Sequence, residues 1–283
     1  MSRFSASDGS ILYFDEAGEG FPLIFLHPWP TDHAMWMFQV PVFSENYRVI
    51  TPDSRGLGMS DKSPKVEDFS LDRLSDDVSE LMDHLGIDRA FIVGNSLGGA
   101  VAEKFCIDHA ERVQASLWIG APTFPFGELV MDYDGRKNVP FVDVYKSALK
   151  NGYLNFWLSV WKPLMSYNYH ESFVRTYVGD YLIRYLFEDR YARMNHNPTS
   201  VVGLLDGLNQ VKESLDADLA RLTIPSAIVC GDGDDTRPSC EQQHKAIPKA
   251  EFLVIKDSGH FCYMDQPEIF NSFLRGFLAG NAP

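Results

Sequence analysis

The chain of 283 residues is acidic, with 39 Asp and Glu against 25 Lys and Arg and a formal net charge of −14. A nucleic-acid surface needs a basic face, so this balance argues against a polyanionic partner and favours a small neutral or apolar molecule. Hydrophobic residues make up 45% of the chain, as in ordinary globular proteins, and the length suffices for one large core with an insertion or for two small domains.

Features of targeting and metal binding are missing from the sequence. No apolar run approaches the roughly 20 residues that span a bilayer, and the first residues lack the apolar stretch of a secretory signal. The cysteines are scattered without metal-ligand spacing, as is typical of reduced thiols. We therefore expect a cytoplasmic protein with no membrane or metal partner. The four cysteines are Cys106, Cys230, Cys240 and Cys262.

Short apolar runs alternate with helical patterns through most of the chain. This alternation predicts a mainly parallel sheet with helices on both faces, which is an α/β fold. Helices are predicted over residues 70–85, where Gly86 is placed to end the helix, and over residues 100–110 and 267–278. Strands are predicted at residues 11–15, 21–26, 47–51, 90–93, 113–119, 226–230 and 251–255.

Residues from about 122 to 206 interrupt this rhythm. They carry a helix-like periodicity without a clear buried strand, and seventeen of the thirty-seven aromatic residues fall between Pro122 and Tyr191. This composition predicts a helical cap over the carboxyl edge of the sheet, with aromatic side chains that pack together and roof a pocket. The core would then comprise residues 1–121 and 207–283, and the cap residues 122–206.

A serine between glycines follows the strand predicted at residues 90–93. Residues 94–99 read Gly-Asn-Ser-Leu-Gly-Gly, match the G-x-S-x-G pattern and precede a helix. This context predicts a sharp strand-to-helix turn that projects the Ser96 hydroxyl above the sheet, near the positive end of the helix. A serine hydroxyl is a weak nucleophile at neutral pH, so it needs a base that is itself held in place.

Acidic residues and a histidine follow the last two predicted strands. Asp232, Asp234 and Asp235 lie in the turn after residues 226–230, and His260 follows residues 251–255. The carboxyl ends of parallel strands share one edge of the sheet, so these side chains are expected near Ser96. The chain order Ser, Asp, His suits a nucleophile, an orienting acid and a base. From the residues alone, the three acids remain alternatives for the middle role.

Taken together, these motifs resemble the α/β-hydrolase family over nearly the whole chain. The resemblance implies the α/β-hydrolase fold, with Ser96 as nucleophile, Asp234 as orienting carboxylate and His260 as general base and then acid. The matching segments are the turn at Ser96, the G-x-x-D-x-x-x-P turn at residues 231–238, the S-G-H-F segment at residues 258–261, the His-Pro-Trp-Pro loop at residues 27–30, and residues 53–60, which are similar to the family's D-x-R-G-x-G-x-S loop.

The resemblance also implies two donors for a developing oxyanion, the backbone N–H groups of Leu97 and Trp29. Pro28 stands where the family's loop usually has glycine. Proline has no N–H, but the proposed donor belongs to Trp29, so the oxyanion hole can survive while the proline fixes the shape of the loop. The family pattern further predicts a cis peptide bond before Pro30.

Other side chains are candidates for substrate contact or for bracing the fold. Asp53 and Arg55 are expected to brace a turn. The sequence lacks the G-x-G-x-x-G pattern of a dinucleotide site, and we expect neither a metal nor an organic cofactor. Four histidines in polar segments are expected to be solvated: His33, His84, His109 and His244. Candidate substrate contacts are His27, Asn95, Arg190 and Phe261, with His196 a further residue that could face the pocket.

The expected function is hydrolysis of a small, largely apolar carboxylic ester or lactone through an acyl-serine intermediate. Haloalkane dehalogenases and epoxide hydrolases share the fold but carry an aspartate nucleophile, so Ser96 argues against those activities. Three alternatives stay open. One is a carbon–carbon bond hydrolase of ring-cleavage products, in which Arg190 would bind a substrate carboxylate. The second is a cofactor-free perhydrolase similar to haloperoxidases, and the third is a non-enzymatic small-molecule receptor. The sequence does not predict the oligomeric state.

Overall fold

The computed structural model describes residues 2–63, 66–121 and 215–283, which form most of the predicted core. Between residues 122 and 214 it describes only residues 130–133, 136–140, 143–144, 147, 170, 179, 181, 185–186 and 203–204. Arg190, His196 and most of the predicted cap therefore lie outside the described residues. The boundaries of the cap remain a prediction.

Ten strands lie in the described residues, eight of them in one sheet. Seven of the strands occupy the predicted apolar runs, with bounds that agree within two residues. The first strand was not predicted, because only Phe4 of its four residues is buried. The strands are β1 (Ser2–Ser5), β2 (Ile11–Ala17), β3 (Phe21–Leu26), β4 (Tyr47–Pro52), β5 (Ala90–Asn95), β6 (Val113–Ile119), β7 (Val130–Tyr133), β8 (Arg136–Pro140), β9 (Ser226–Gly231) and β10 (Glu251–Ile255).

The large sheet has the order β1-β2-β4-β3-β5-β6-β9-β10 and is mainly parallel, as predicted. Only β1 with β2 and β2 with β4 pair in the antiparallel sense. Every residue of β5 and β9 is buried, as a sheet covered on both faces requires. After β3 the chain moves to β4 on one side and then returns to β5 on the other. The boundary between β3 and β5 is therefore the switch point at which open α/β sheets bind ligands.

Helices pack on this sheet through apolar stripes. In α2, the buried residues include Leu71, Leu74, Val78 and Leu81, and the Ser70 hydroxyl accepts the N–H of Arg73 at the start of the helix. Helix α5 was not predicted, because its sequence is polar and its buried face holds Ser, Cys and Gln. The helices are α1 (Val40–Phe43), α2 (Leu71–His84), α3 (Leu97–Asp108), α4 (Asp216–Leu219), α5 (Arg237–Ala246), α6 (Cys262–Asp265) and α7 (Pro267–Gly280). None of the described helices has both the length and the apolar character needed to cross a membrane.

The described part of the predicted cap contains a feature that the sequence analysis did not expect. Strands β7 and β8 pair in the antiparallel sense within a region predicted to be helical and without a clear strand. The dipeptide Asp134-Gly135 separates the two strands in the sequence, and Asp-Gly is a preferred dipeptide of two-residue hairpin turns. The cap region is therefore not purely helical.

Arg55 fastens the loop after β4 to helix α2, which agrees with the expected bracing role. Its guanidinium is only 2% exposed and contacts Asp77 through two hydrogen bonds of 2.7 Å each, while a third bond of 2.7 Å reaches Asp8. Planar, bidentate pairs of this kind fix orientation as well as distance. Asp53, in the same loop, accepts the backbone N–H groups of His33 at 2.8 Å and Met59 at 2.7 Å.

His33 is not solvated, contrary to the expectation from its polar segment. Its Nδ1 lies 2.8 Å from Asp53 Oδ1 and its side chain is mostly buried. His109 and His244 are half-buried, and their rings pack against Phe105 and Phe252. Of the four histidines expected to be solvated, only His84 is exposed.

Gly98 brings the first turn of α3 against the end of β3. A Cβ atom on Gly98 would lie 2.1 Å from the carbonyl oxygen of Leu26 and 2.8 Å from that of His27. Both contacts are to backbone, which cannot move aside as a flexible side chain would. The close approach places the loop that follows β3 beside the turn that holds Ser96.

We expect Gly98→Ala to destabilise the fold by about 1–3 kcal/mol, because the added methyl forces backbone segments apart. The measurement is the free energy of unfolding in urea. The matched control is Gly276→Ala in the middle of α7, where a Cβ would meet nothing within 4 Å. That variant is expected to gain about 0.5–1 kcal/mol from the higher helix propensity of alanine. Equal stability of the two variants would contradict the tight contact.

Candidate active site

Ser96 occupies the junction between β5 and α3, in the sharp turn that the sequence predicts. Its φ of 53° and ψ of −116° are unusual for a residue with a side chain, and such strain is typical of a nucleophile turn. The backbone holds the turn from both sides, because Ser96 N donates to Ile119 O and Ala100 N donates to Ser96 O, each at 2.9 Å. The Ser96 hydroxyl makes no capping hydrogen bond with the N–H groups at the start of α3.

Asp234 and His260 form a hydrogen-bonded pair at the carboxyl ends of β9 and β10. His260 Nδ1 lies 3.1 Å from each oxygen of Asp234. Asp234 is 1% exposed, and its Oδ1 also accepts the backbone N–H and the hydroxyl of Thr236 at 2.8 Å each. Of the three acids in this turn, Asp234 is the one that bonds to His260, whereas Asp232 accepts the N–H of Ser258. A carboxylate only accepts hydrogen bonds, so Nδ1 carries the proton and Nε2 remains available as a base.

Burial and charge act in opposite directions on this pair. Burial on its own raises the pKa of Asp234, but the charge and hydrogen bond of His260, with those from Thr236, hold it below its usual value. Burial likewise lowers the pKa of His260, but the charge and hydrogen bond of Asp234, with a contribution from Asp235, raise it above its usual value. The arrangement therefore stabilises an imidazolium when His260 takes up a proton.

Gly120, directly after β6, brings this pair beside Ser96. A Cβ atom on Gly120 would lie 2.8 Å from His260 Cε1 and Nδ1 and 2.9 Å from Asp234 Oδ2, so only glycine admits the imidazole here. The preceding residue, Ile119, accepts the N–H of Ser96. Ser96 and His260 therefore both lie against the segment formed by Ile119 and Gly120, Ser96 through its backbone N–H and His260 through its ring. Ser96 Oγ makes no hydrogen bond with His260 in the described structure, and contacts of this kind commonly tighten only when substrate binds.

The loop after β3 adjoins the first turn of α3 and carries the second candidate oxyanion donor. The Trp29–Pro30 peptide bond is cis, as the family pattern predicts. The side chain of Trp29 is buried, and the contact at Gly98 packs the start of this loop against the segment that begins with Leu97. The N–H groups in the first turn of a helix have no partner within the helix, so that of Leu97 remains a candidate donor.

His27 braces this loop rather than facing a ligand, which corrects its assignment as a substrate contact. The side chain is fully buried. Its Nε2 accepts the backbone N–H of Ser54 at 2.9 Å, so Nδ1 carries the proton and donates to Pro28 O at 2.9 Å. Burial, opposed by the charge of Asp53, lowers the pKa of His27 and keeps the ring neutral. The imidazole therefore joins the loops that follow β3 and β4.

Asn95 and Phe261 also lie beneath the site, and the expected substrate contacts are not supported for them. The Asn95 amide is fully buried, donates to Ile119 O at 2.9 Å and to His260 O at 3.4 Å, and accepts from the Tyr263 hydroxyl at 3.3 Å. Phe261 is buried, with its ring 5.4 Å from that of His260. Both residues hold the histidine loop in place. Arg190 lies outside the described residues, so its role stays a prediction.

Sequence reasoning overlooked several residues that shape the site. Thr236 stands two positions after Asp234, and Asp-x-Thr is a local turn pattern that signals such a bond. Gly120 directly follows the apolar strand β6, and a glycine at such a strand end is a sequence signal for a left-handed turn or a close approach of another segment; its φ is 51°. The third is Asp265, which stands just outside the S-G-H-F motif and whose carboxylate accepts the N–H of Gly259 at 2.7 Å. No pattern in the sequence marks that contact.

Asp32, His33 and Asp53 form the group in the described residues that comes nearest to a metal site. Their ligand atoms lie within 4.8 Å of one another. Protein hydrogen bonds already use them, because Asp32 Oδ1 accepts the N–H of Ala34 and Asp53 accepts from His33 and Met59. These bonds account for the cluster as a brace between loops.

Comparisons with known proteins agree with this architecture. A sequence profile of the alpha/beta hydrolase fold matches residues 22–267. A soluble epoxide hydrolase of Corynebacterium sp. (strain C12) is 26% identical, with 92% of this chain and 91% of that protein aligned. A non-heme chloroperoxidase of Kitasatospora aureofaciens is 28% identical over 98% of this chain and 99% of that protein.

Solved structures include an enzyme described as degrading N-acyl homoserine lactones. It is 29% identical, with a TM-score of 0.78 over 98% of this chain and 100% of that chain. The profile match covers most of the chain, and it spans the segments that carry Ser96, Asp234 and His260. The chain therefore belongs to the alpha/beta hydrolase fold family.

Proposed function

We propose that this hydrolase cleaves a small, largely apolar carboxylic ester or lactone through an acyl-serine intermediate. The observation that carries the proposal is the Asp234–His260 pair, joined at 3.1 Å and packed on Gly120 beside the strained turn of Ser96. A buried carboxylate, an imidazole with one free nitrogen and a serine in such a turn form the constellation used for acyl transfer.

In the acylation step, the Ser96 hydroxyl attacks the substrate carbonyl while His260 Nε2 takes its proton. The imidazolium formed is stabilised by Asp234, which stays ionised. The histidine then gives the proton to the departing alkoxide, which leaves as the alcohol or, for a lactone, stays attached to the acyl group. Water then attacks the acyl-serine carbonyl while His260 Nε2 takes its proton, the bond between the acyl carbon and Ser96 Oγ breaks, and the histidine returns the proton to Oγ as the acid leaves.

The tetrahedral intermediate carries a negative oxygen that needs fixed donors. In this proposal the donors are the backbone N–H groups of Leu97 and Trp29, which belong to the adjoining segments at the start of α3 and after β3. Each donor of this kind lowers the barrier by about 3 kcal/mol, because it is already oriented before the charge develops.

The nucleophile argues against the activity named for the epoxide hydrolase relative. Attack by a serine on an epoxide carbon would give a serine ether, which has no carbonyl for water to attack. A carboxylate nucleophile instead forms an ester with the epoxide carbon, and water can hydrolyse that ester. A serine that attacks a carbonyl forms a hydrolysable ester, so the residue at position 96 favours esters and lactones.

One observation supports a largely apolar substrate, and a second supports lactones as well as esters. The region between residues 122 and 206 is rich in aromatic residues, and pockets for such substrates are lined mainly by hydrophobic side chains. The solved relative at 29% identity is described as acting on N-acyl homoserine lactones, which combine a lactone ring with an acyl chain. Open-chain esters and lactones both contain the ester bond that Ser96 attacks in the proposed mechanism.

A perhydrolase is the second candidate, favoured by the His-Pro-Trp-Pro loop and by the relative named a chloroperoxidase. In that reaction hydrogen peroxide replaces water in the second step and the acyl-serine yields a peracid. The first step and its residues are unchanged. A product assay with and without peroxide therefore separates the two, because a peracid forms only if peroxide competes with water.

We expect a rapid burst of nitrophenol from a short-chain nitrophenyl ester, with an amplitude close to the enzyme concentration. Ser96→Ala and His260→Ala should each lower kcat by ~10³-fold or more, with little further loss when combined, because the residues act as a unit. Ser44→Ala, at a serine outside the site, is the matched control. Turnover that survives in Ser96→Ala would refute the acyl-serine, and ligand binding without any turnover would favour a receptor.

The pH dependence of kcat/KM should rise through one group with a midpoint above about 6.5, since His260 acts as a base only when neutral and its pKa is raised. Asp235→Asn removes one of the charges that raise this pKa, so the midpoint should move to lower pH with kcat retained. Asp235 is exposed, so the shift should be small and should shrink at high salt. A flat profile between pH 5 and 9 would exclude a histidine base.

Arg190→Ala is expected to leave the hydrolysis of neutral esters nearly unchanged. If the enzyme instead cleaves carbon–carbon bonds in acidic ring-cleavage products, the lost charged hydrogen bond should reduce kcat/KM for those substrates by ~10- to 100-fold. Arg221→Ala, at an exposed arginine of the core, controls for the change in net charge. A loss confined to acidic substrates and to Arg190→Ala would favour the carbon–carbon hydrolase.

A further inference from the structure

Asp265 is a buried acid beside the site that the proposed reaction does not use. It is 8% exposed and ends helix α6, five residues after His260. Its Oδ2 accepts two backbone N–H groups, from Gly259 at 2.7 Å and from His170 at 3.0 Å. Its Oδ1 is buried without a hydrogen-bond partner in the described structure. One oxygen of the carboxylate therefore makes both contacts.

The two donors belong to different parts of the chain. Gly259 directly precedes His260, so the direction of its N–H constrains the backbone from which the imidazole projects. His170 falls within residues 122–206, which the sequence assigns to the cap. The Asp265 oxygen thus links the loop of His260 to a residue of the predicted cap.

A second acid holds the same loop from the other side. Asp232 Oδ1 accepts the N–H of Ser258 at 3.2 Å. Burial raises the pKa of Asp232, but the backbone N–H of Ser258, with smaller contributions that include the charge of His170, lowers it overall. Asp265 differs from Asp232 because it is buried and because the same oxygen also binds the backbone of His170.

The acceptor oxygen of Asp265, rather than its charge, is what the geometry requires. Burial raises the pKa of Asp265 to about 7, against the opposing effect of the two N–H bonds. A proton on the unpartnered Oδ1 would leave both bonds to Oδ2 in place. An asparagine with its oxygen at the same point would keep these bonds as well.

We propose that Asp265 is a positioning residue, which fixes the His260 loop against the cap by accepting the N–H groups of Gly259 and His170 on one oxygen. This inference rests on the proposed function, because a change in the His260 loop lowers kcat only if His260 is the general base. The residue acts through the loop and touches neither Ser96 nor the reacting atoms in this mechanism. Small displacements of a base lower the rate strongly, so the loss of this anchor should appear in kcat.

The test compares three variants in the full chain with the nitrophenyl ester. Asp265→Asn keeps the acceptor oxygen, whereas Asp265→Leu and Asp265→Ala remove it. Of these two, the leucine fills the space of the aspartate side chain better than the alanine. We expect kcat of the Asn variant to stay near the wild-type value and that of the Leu and Ala variants to fall by roughly tenfold or more. Glu268→Ala, at an exposed acid at the start of α7, is the control for removing a carboxylate.

Amide hydrogen exchange provides a readout that does not need activity. Peptides that contain Gly259 and His170 should exchange faster in the Leu and Ala variants than in the wild type and the Asn variant. Wild-type kcat in a folded Leu or Ala variant would overturn the proposal. A loss of kcat in Asp265→Asn as large as in Asp265→Leu would also overturn it. If neither the Leu nor the Ala variant folds, comparison of the Asn variant with the wild type decides: kcat and amide exchange near the wild-type values support the proposal, and a tenfold or greater loss of kcat overturns it. Absence of turnover in the wild type contradicts the proposed function instead, and the exchange data still decide the anchoring role.

Discussion

The structure depends on close contacts with the backbone at two glycines along the carboxyl edge of the sheet, where no Cβ atom would fit. At Gly98 the start of α3 touches the end of β3, and at Gly120 the Asp234–His260 pair rests on the chain after β6. Each contact leaves less than 3 Å for an added methyl group. These approaches bring together segments that follow five strands, β3, β5, β6, β9 and β10, so the candidate site is defined by packing as much as by its polar side chains.

Around these contacts, a shell of buried polar groups fixes the loops. His27 joins the loops after β3 and β4, Asn95 ties β6 to the histidine loop, and Arg55 fixes the loop after β4 to α2. Buried polar groups are costly unless every bond is made, and a satisfied network permits one arrangement of the loops. The loops at the sheet edge are therefore oriented by residues that do not contact the substrate in the proposed reaction.

The sequence predicted most of the core and the central residues of the candidate site, because both leave local patterns. Apolar runs such as residues 21–26 and 113–119 mark strands, and the motifs place Ser96, Asp234 and His260 at one edge. The roles of His27 and Asn95 were missed because burial is a property of the assembled fold, whereas a motif shows only that a residue is near the site. Helix α5 has no apolar stripe and Asp265 contacts distant backbone, so neither leaves a periodic signal.

The four cysteines have a consequence for chemical labelling. All are buried and free, and burial raises the pKa of Cys106 to about 12 and that of Cys262 well above its ordinary range. The thiolate is the form that reacts with alkylating agents and with oxidants, so thiols held in the neutral state are inert. Modification of Cys106 or Cys262 by an electrophile such as an organophosphorus ester is therefore disfavoured, and neither thiol needs to be removed before such a reagent is used.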